Sequence, residues 1–124
     1  MSAARAASRV QPFARTEEIS HRGKVACMIV RAEPMPDETT FYTPRHFNLQ
    51  VGKIVYPAGS EIPRHTHRSA RRDVVGTSEV LLVQKGRMIL DISSEEHDLL
   101  CSREIGPGDV VILLHAGHGF RLLA

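Results

Sequence analysis

Apolar residues along this chain cluster in short runs of strand length. Glycine or proline separates the runs at the roughly 8–12-residue spacing of an all-β sandwich or barrel. Lys24 to Arg31 is one such run, ended by the breakers Pro34 and Pro36. Phe47 to Tyr56 alternates, placing Phe47, Leu49 and Val51 on one face, and Gly52 marks a bulge or a close backbone approach. Pro57 to Gly59 reads as a turn. Glu79 to Gln84 and Arg87 to Ile92 flank Lys85-Gly86, a hairpin signal. Ser93 to His97 is a polar loop leading into a strand over Asp98 to Ile105. The turn Gly106 to Asp109 precedes a buried-looking strand, Val110 to Leu114, and a last strand starts near Gly119 and runs to Ala124. No stretch sustains a 3.6-residue period, so the pattern predicts an all-β, antiparallel domain over 24–124. Closure into a barrel or jelly roll would dispose of most exposed strand edges.

The first 23 residues stand outside this pattern. Met1 to Thr16 holds Arg5, Arg9 and Arg15 among Ala and Ser with no acid, which suits an organelle transit peptide or a frayed basic extension. Pro12 interrupts any helix there, and the apolar run of a secretory signal is missing. We read 1–23 as a flexible basic leader and expect a cytoplasmic protein.

Composition narrows the function classes. The 124 residues are one domain's worth of core, and the apolar fraction of 42% against 24% charged residues is that of a globular chain. A net charge of +2 and the absence of Trp argue against a nucleic-acid partner. No apolar run approaches the length of a membrane span. Cys27 and Cys101 are too few for a disulfide framework or a thiolate zinc site and read as reduced, buried thiols.

The seven histidines are the least ordinary feature. His65-Thr66-His67 puts two imidazoles on one face of a strand. Glu79 opens the next apolar run, and His118 follows the Gly-Pro-Gly-Asp turn and its strand. Nitrogen and oxygen donors brought together on a β scaffold suit one divalent ion, Zn, Ni, Mn or Fe. Arg68, Arg71 and Arg72 lie beside the His-x-His pair. Either they hold a carboxylate or phosphate bidentately or they form a solvated loop balanced by Asp73. Phe47 and Tyr56 read as core, and His21, His46, His97, Glu61 and Glu104 as surface residues.

Gly59, His65-Thr66-His67, Glu79 and Gly86 together resemble the first signature of the cupin superfamily. Gly108-Asp109 with Gly117-His118-Gly119-Phe120 resembles the second. The resemblance covers roughly Lys24 to the C-terminus. It implies a double-stranded β-helix, or jelly-roll barrel, with one divalent metal held by His65, His67, Glu79 and His118. Three features depart from the family pattern. Eleven residues separate His67 from Glu79, more than the family's usual few, which we read as an inserted loop, Arg68 to Ser78. Asp73 is nearer the usual spacing, but only Glu79 has a glycine, Gly86, in register. The second signature is one residue short around Leu114 to Gly117, which makes His115 a competing ligand. His115 and His118 would face opposite sides of a regular strand. We favour His118, because Gly117 and Gly119 give the backbone freedom to turn it toward the site. Finally, the chain ends soon after the second signature, so the barrel would lack a C-terminal strand and pair its open edge with a second copy. A homodimer is therefore expected.

Two functions remain open on these residues. One is a metal-dependent isomerase or dioxygenase acting on a small polar, sugar- or carboxylate-like substrate. It would bind that substrate through Arg71 and Arg72, with His115 or Glu61 as general base. The other is a non-catalytic metal- or sugar-binding protein acting as a sensor or accessory subunit.

Overall fold

The computed structural model describes residues 16–123, and all regular structure in them is strand. No helix of the described residues is long and apolar enough to cross a membrane. The described residues divide into two compact units, 16–34 with 76–123 and 35–75.

The first unit is a pair of antiparallel sheets. One contains β1 (Thr16–His21), β2 (Lys24–Val30), β8 (Val110–Leu113) and β5 (Glu79–Leu82), in the order β1-β2-β8-β5. The other contains β7 (Leu99–Ile105), β6 (Met88–Ser93) and β9 (Gly117–Leu122), in the order β7-β6-β9. Register fixes which side chains face inward. Ile19, Cys27, Leu113 and Glu79 form one row across the first sheet, and Glu17, Ile29, Val111 and Leu81 the next. Across the second sheet, Cys101, Ile92 and His118 share a row, as do Arg103, Leu90 and Phe120. The middles of these rows make a single core of Cys27, Ile29, Val111 and Leu113 against Met88, Leu90, Ile92 and Ile105. The two sheets thus pack face to face as a β-sandwich. Strand β2 is buried from Ala26 through Val30 and cannot show a half-exposed alternation, which is why its sequence reads as a continuous apolar run.

The all-β, antiparallel expectation holds, and the runs at 24–31, 79–84, 87–92, 98–105 and 110–114 each contain a strand. Three details differ. Residues 16–21, set aside with the leader, form β1 and pair along β2; residues 1–15 lie outside the described residues. Lys85-Gly86 is not a hairpin turn: β5 pairs with β8 and β6 pairs with β7 and β9, so the connection crosses from one sheet to the other. The end of β5 is tied instead to the Gly106–Asp109 turn, with Val83 N donating to Asp109 O and Gly108 N donating to Val83 O. Strand β9 begins at Gly117, two residues before the expected start.

Asp109 locks that turn. Its carboxylate accepts from Gly106 N at 2.9 Å, Ala32 N at 2.8 Å and Arg31 Nη1 at 3.2 Å. A nearly buried carboxylate with three donors is well compensated for its lost hydration.

The second unit, 35–75, is mostly irregular. Its strands are β3 (Thr40–Phe41) and β4 (Gly52–Lys53), paired antiparallel. The long strand expected over 47–56 is therefore reduced to two residues. Side chains take the backbone partners that a ladder would use. The Gln50 amide donates to Pro44 O and Phe47 O, and Thr43 Oγ1 accepts from Val51 N. Gly52 does mark a close approach, since a Cβ there would stand 2.7 Å from the Phe41 ring. Tyr56 is 54% exposed and is not core, whereas Phe47 is half-buried with its ring edge-on to His46.

Candidate functional site

The sandwich has two flanks, each bounded by the outer strand of either sheet. At one flank β1 meets β7, where inward-facing Glu17 and Arg103 join, Nε to Oε2 at 2.8 Å and Nη2 to Oε2 at 2.7 Å. That hydrogen bond to Glu17 raises the Arg103 pKa above its already high ordinary value. Behind the pair, burial pushes the Cys27 thiol up to about 12, helped by neighbouring Cys101 and Glu17. Both cysteines are free thiols, as expected; Cys27 is buried and Cys101 partly so.

The other flank is open. The inward-facing residues of its outer strands β5 and β9 are Glu79 and Leu81, and His118, Phe120 and Leu122. Phe120 is 49% and Leu122 79% exposed, although both point the way the core residues do. At this mouth His118 Nε2 stands 3.4 Å from Glu79 Oε1. A charge-assisted hydrogen bond would be shorter, about 2.7–2.9 Å. Two ligands each about 2.1 Å from a tetrahedral ion, however, stand about 3.4 Å apart. The pair is thus a loose ion-pair contact whose spacing is also compatible with two donors on one ion.

His118 reaches this position from a regular strand, in register with Ile92, and neither Gly117 nor Gly119 adopts a positive φ. Gly117 serves a close approach instead, because a Cβ there would collide with Ser93. His115, the competing ligand, lies before β9 with its Nδ1 3.9 Å from Glu95 Oε1.

In the second unit His65 and His67 lie on an exposed irregular segment, not on a strand. Their rings meet edge-on with centroids 5.4 Å apart, and His65 Nδ1 is 2.9 Å from Pro63 O. Arg72 donates from Nη1 to His46 O at 3.0 Å, while Arg71 projects from the exposed chain. The structure thus brings the predicted donors together as pairs, Glu79 with His118 in one unit and His65 with His67 in the other. Among the described residues, no group of three or more His, Cys, Asp or Glu side chains is gathered as a metal site.

A cluster that the sequence reading passed over lies at the ends of the strands. His21, Arg22, Lys24, Glu95, Glu96 and His115 line a cavity of about 190 Å³. Its sequence signal was faint. His21 and His115 are far apart in the chain, and Arg22-Gly23 resembles any short turn.

Compared with known proteins, the chain matches no family model, no curated protein and no solved structure. The cupin resemblance therefore rests on the motifs alone.

Proposed function

We propose that the chain is a metal-binding β-sandwich protein of the cupin kind. Glu79 and His118 are the pair around which one divalent ion, Zn, Ni, Mn or Fe, is held, and His65 and His67 are the further donors that the sequence resemblance names. The observation that supports this reading is the 3.4 Å approach of an imidazole nitrogen and a carboxylate oxygen at the open flank. Imidazole and carboxylate are a donor set suited to such ions. When bound, an ion with an open coordination position would polarise a carbonyl or activate dioxygen. Arg71 and Arg72 supply guanidinium groups for an anionic small-molecule ligand. The jelly-roll barrel of the resemblance and a homodimer belong to the same proposal. Outer strands β5 and β9 with exposed apolar residues are what edge-to-edge association between copies would use.

Elemental analysis of the full chain, loaded with each ion and then dialysed, tests the proposal. One equivalent of metal should be retained, and both Glu79→Ala and His118→Ala should lose it while keeping the fold. Loss in His65→Ala or His67→Ala would add those donors to the site. Retention in all four variants, or no stoichiometric metal in the parent chain, would overturn the reading. Light scattering tests the assembly: a mass near 13.8 kDa would make the protein a monomer.

A further inference from the structure

Each sheet of the sandwich unit ends in two outer strands, and the four differ in how well their free edges are protected. On β1 and β7 the pairing with the neighbouring strand shifts register once, at Ile19/Ser20 and opposite Ile92/Ser93. These two strands also meet over the Glu17–Arg103 ion pair. Strand β5 is only four residues long. Strand β9 has none of these protections. Its six residues pair with β6 without a register shift, and Phe120 and Leu122 on its inward face stay exposed. A long, regular edge with uncovered apolar side chains is a template for another strand. Arg121, the cation of β9, donates instead to Asp91 of its own sheet.

The hydrogen bonding of β9 shows which of its backbone groups are left over. Leu123 N donates to Arg87 O, and these two residues continue the β6–β9 register by one step. In an antiparallel pair, residues that bond across the ladder alternate with residues whose N–H and C=O point the other way. Gly117, Gly119 and Arg121 therefore bond to β6, and His118, Phe120 and Leu122 turn their backbone groups to the free edge. We infer that a second copy of the chain occupies this edge, β9 pairing antiparallel with the partner's β9 about a two-fold axis at Phe120. Such an interface is isologous and closes on itself. In this register all three outward-directed residues bond on both strands, Phe120 opposite the partner's Phe120 and His118 opposite the partner's Leu122. Each Arg121 then lies opposite a glycine, Gly119, where a Cβ would meet nothing within 4 Å. Moving the axis to Arg121 would set two guanidinium groups against each other, which like charges disfavour. Moving it to Gly119 would leave Leu122 opposite a residue before the start of β9. The inference rests on the homodimer of the proposed function but not on its metal, since His118 joins through its backbone while its ring stays turned to Glu79.

Sedimentation equilibrium of the full chain in EDTA tests the association, and cysteine cross-linking tests the register. A mass of twice 13.8 kDa is expected. Leu122→Lys, at a position already 79% exposed, should weaken the dimer about tenfold while keeping the circular dichroism of the parent. In a Cys101→Ser background under oxidised glutathione, Phe120→Cys should form a disulfide-linked dimer, because directly opposed residues stand about 5.5 Å apart between Cα atoms. Leu122→Cys should not, because its counterpart lies four residues along the pair, about 13 Å away. A parent mass near 13.8 kDa, a Leu122→Lys variant that associates like the parent, or cross-linking of Leu122→Cys in place of Phe120→Cys would overturn it. A dimer that retains no metal upholds this interface while the metal reading fails, and a monomer that retains metal does the reverse.

Discussion

At the β1–β7 flank a carboxylate and a guanidinium meet at 2.7–2.8 Å, whereas at the β5–β9 flank a carboxylate and an imidazole stop at 3.4 Å. All four side chains face inward from outer strands, in the same kind of register position. The first pair is about two-thirds buried or more, at 35% and 26% side-chain exposure, and seals its flank over Cys27 and Cys101. The second is 31% exposed at His118 and 55% at Glu79, with Phe120 and Leu122 uncovered beside it. Similar register positions thus carry a close, part-buried ion pair at one flank and a looser, more exposed contact at the other. On the proposed reading the first contributes stability and the second receives the ion.

Substitutions can break this contrast in order of size. Leu90 lies in the row between Arg103 and Phe120 and is fully buried. Leu90→Ala should cost about 2–5 kcal/mol and loosen both flanks together, read from denaturant unfolding. Next is the alkaline limb of stability. A thiol whose folded pKa is raised contributes stability that is present below its unfolded value and lost as pH rises. For Cys27 the window runs from about 9 to about 12. The parent chain should lose stability there that Cys27→Ala does not, and parallel curves would disprove the buried-thiol assignment. Arg103→Ala leaves Glu17 partly buried without its partner and should cost about 1–2 kcal/mol at neutral pH. Glu79→Gln, at the exposed flank, should change stability by less than about 0.5 kcal/mol while abolishing retained metal. A larger unfolding effect than that of Arg103→Ala would reverse the roles assigned to the two flanks.

Much of the fold was legible because apolar runs with turn residues between them make strands regardless of partner. Strand β2 and the four strands β5 to β8 were visible in this way. Strand β1 was not, because only Ile19 of its inward face is apolar, and its other inward residue, Glu17, is stabilised by Arg103 from the distant strand β7. The opposite error arose at 47–56. There the alternation was real, but Gln50 and Thr43 capture backbone groups locally and leave a two-residue ladder. The donor types of the candidate site were legible as chemistry. Their pairing was not, and the backbone freedom at Gly117 and Gly119 that favoured His118 over His115 is not used, since His118 sits in regular register with Ile92.

By itself, then, the sequence determined local period, turn positions and the inventory of nitrogen and oxygen donors, because each depends on residues close together in the chain. Only the tertiary structure decided that Lys85-Gly86 joins two sheets, that β5 and β9 bound the same flank, and that Glu79 faces His118 there. Those facts follow from sheet order and register. Both are set by how two faces bury a common core rather than by any short stretch of residues.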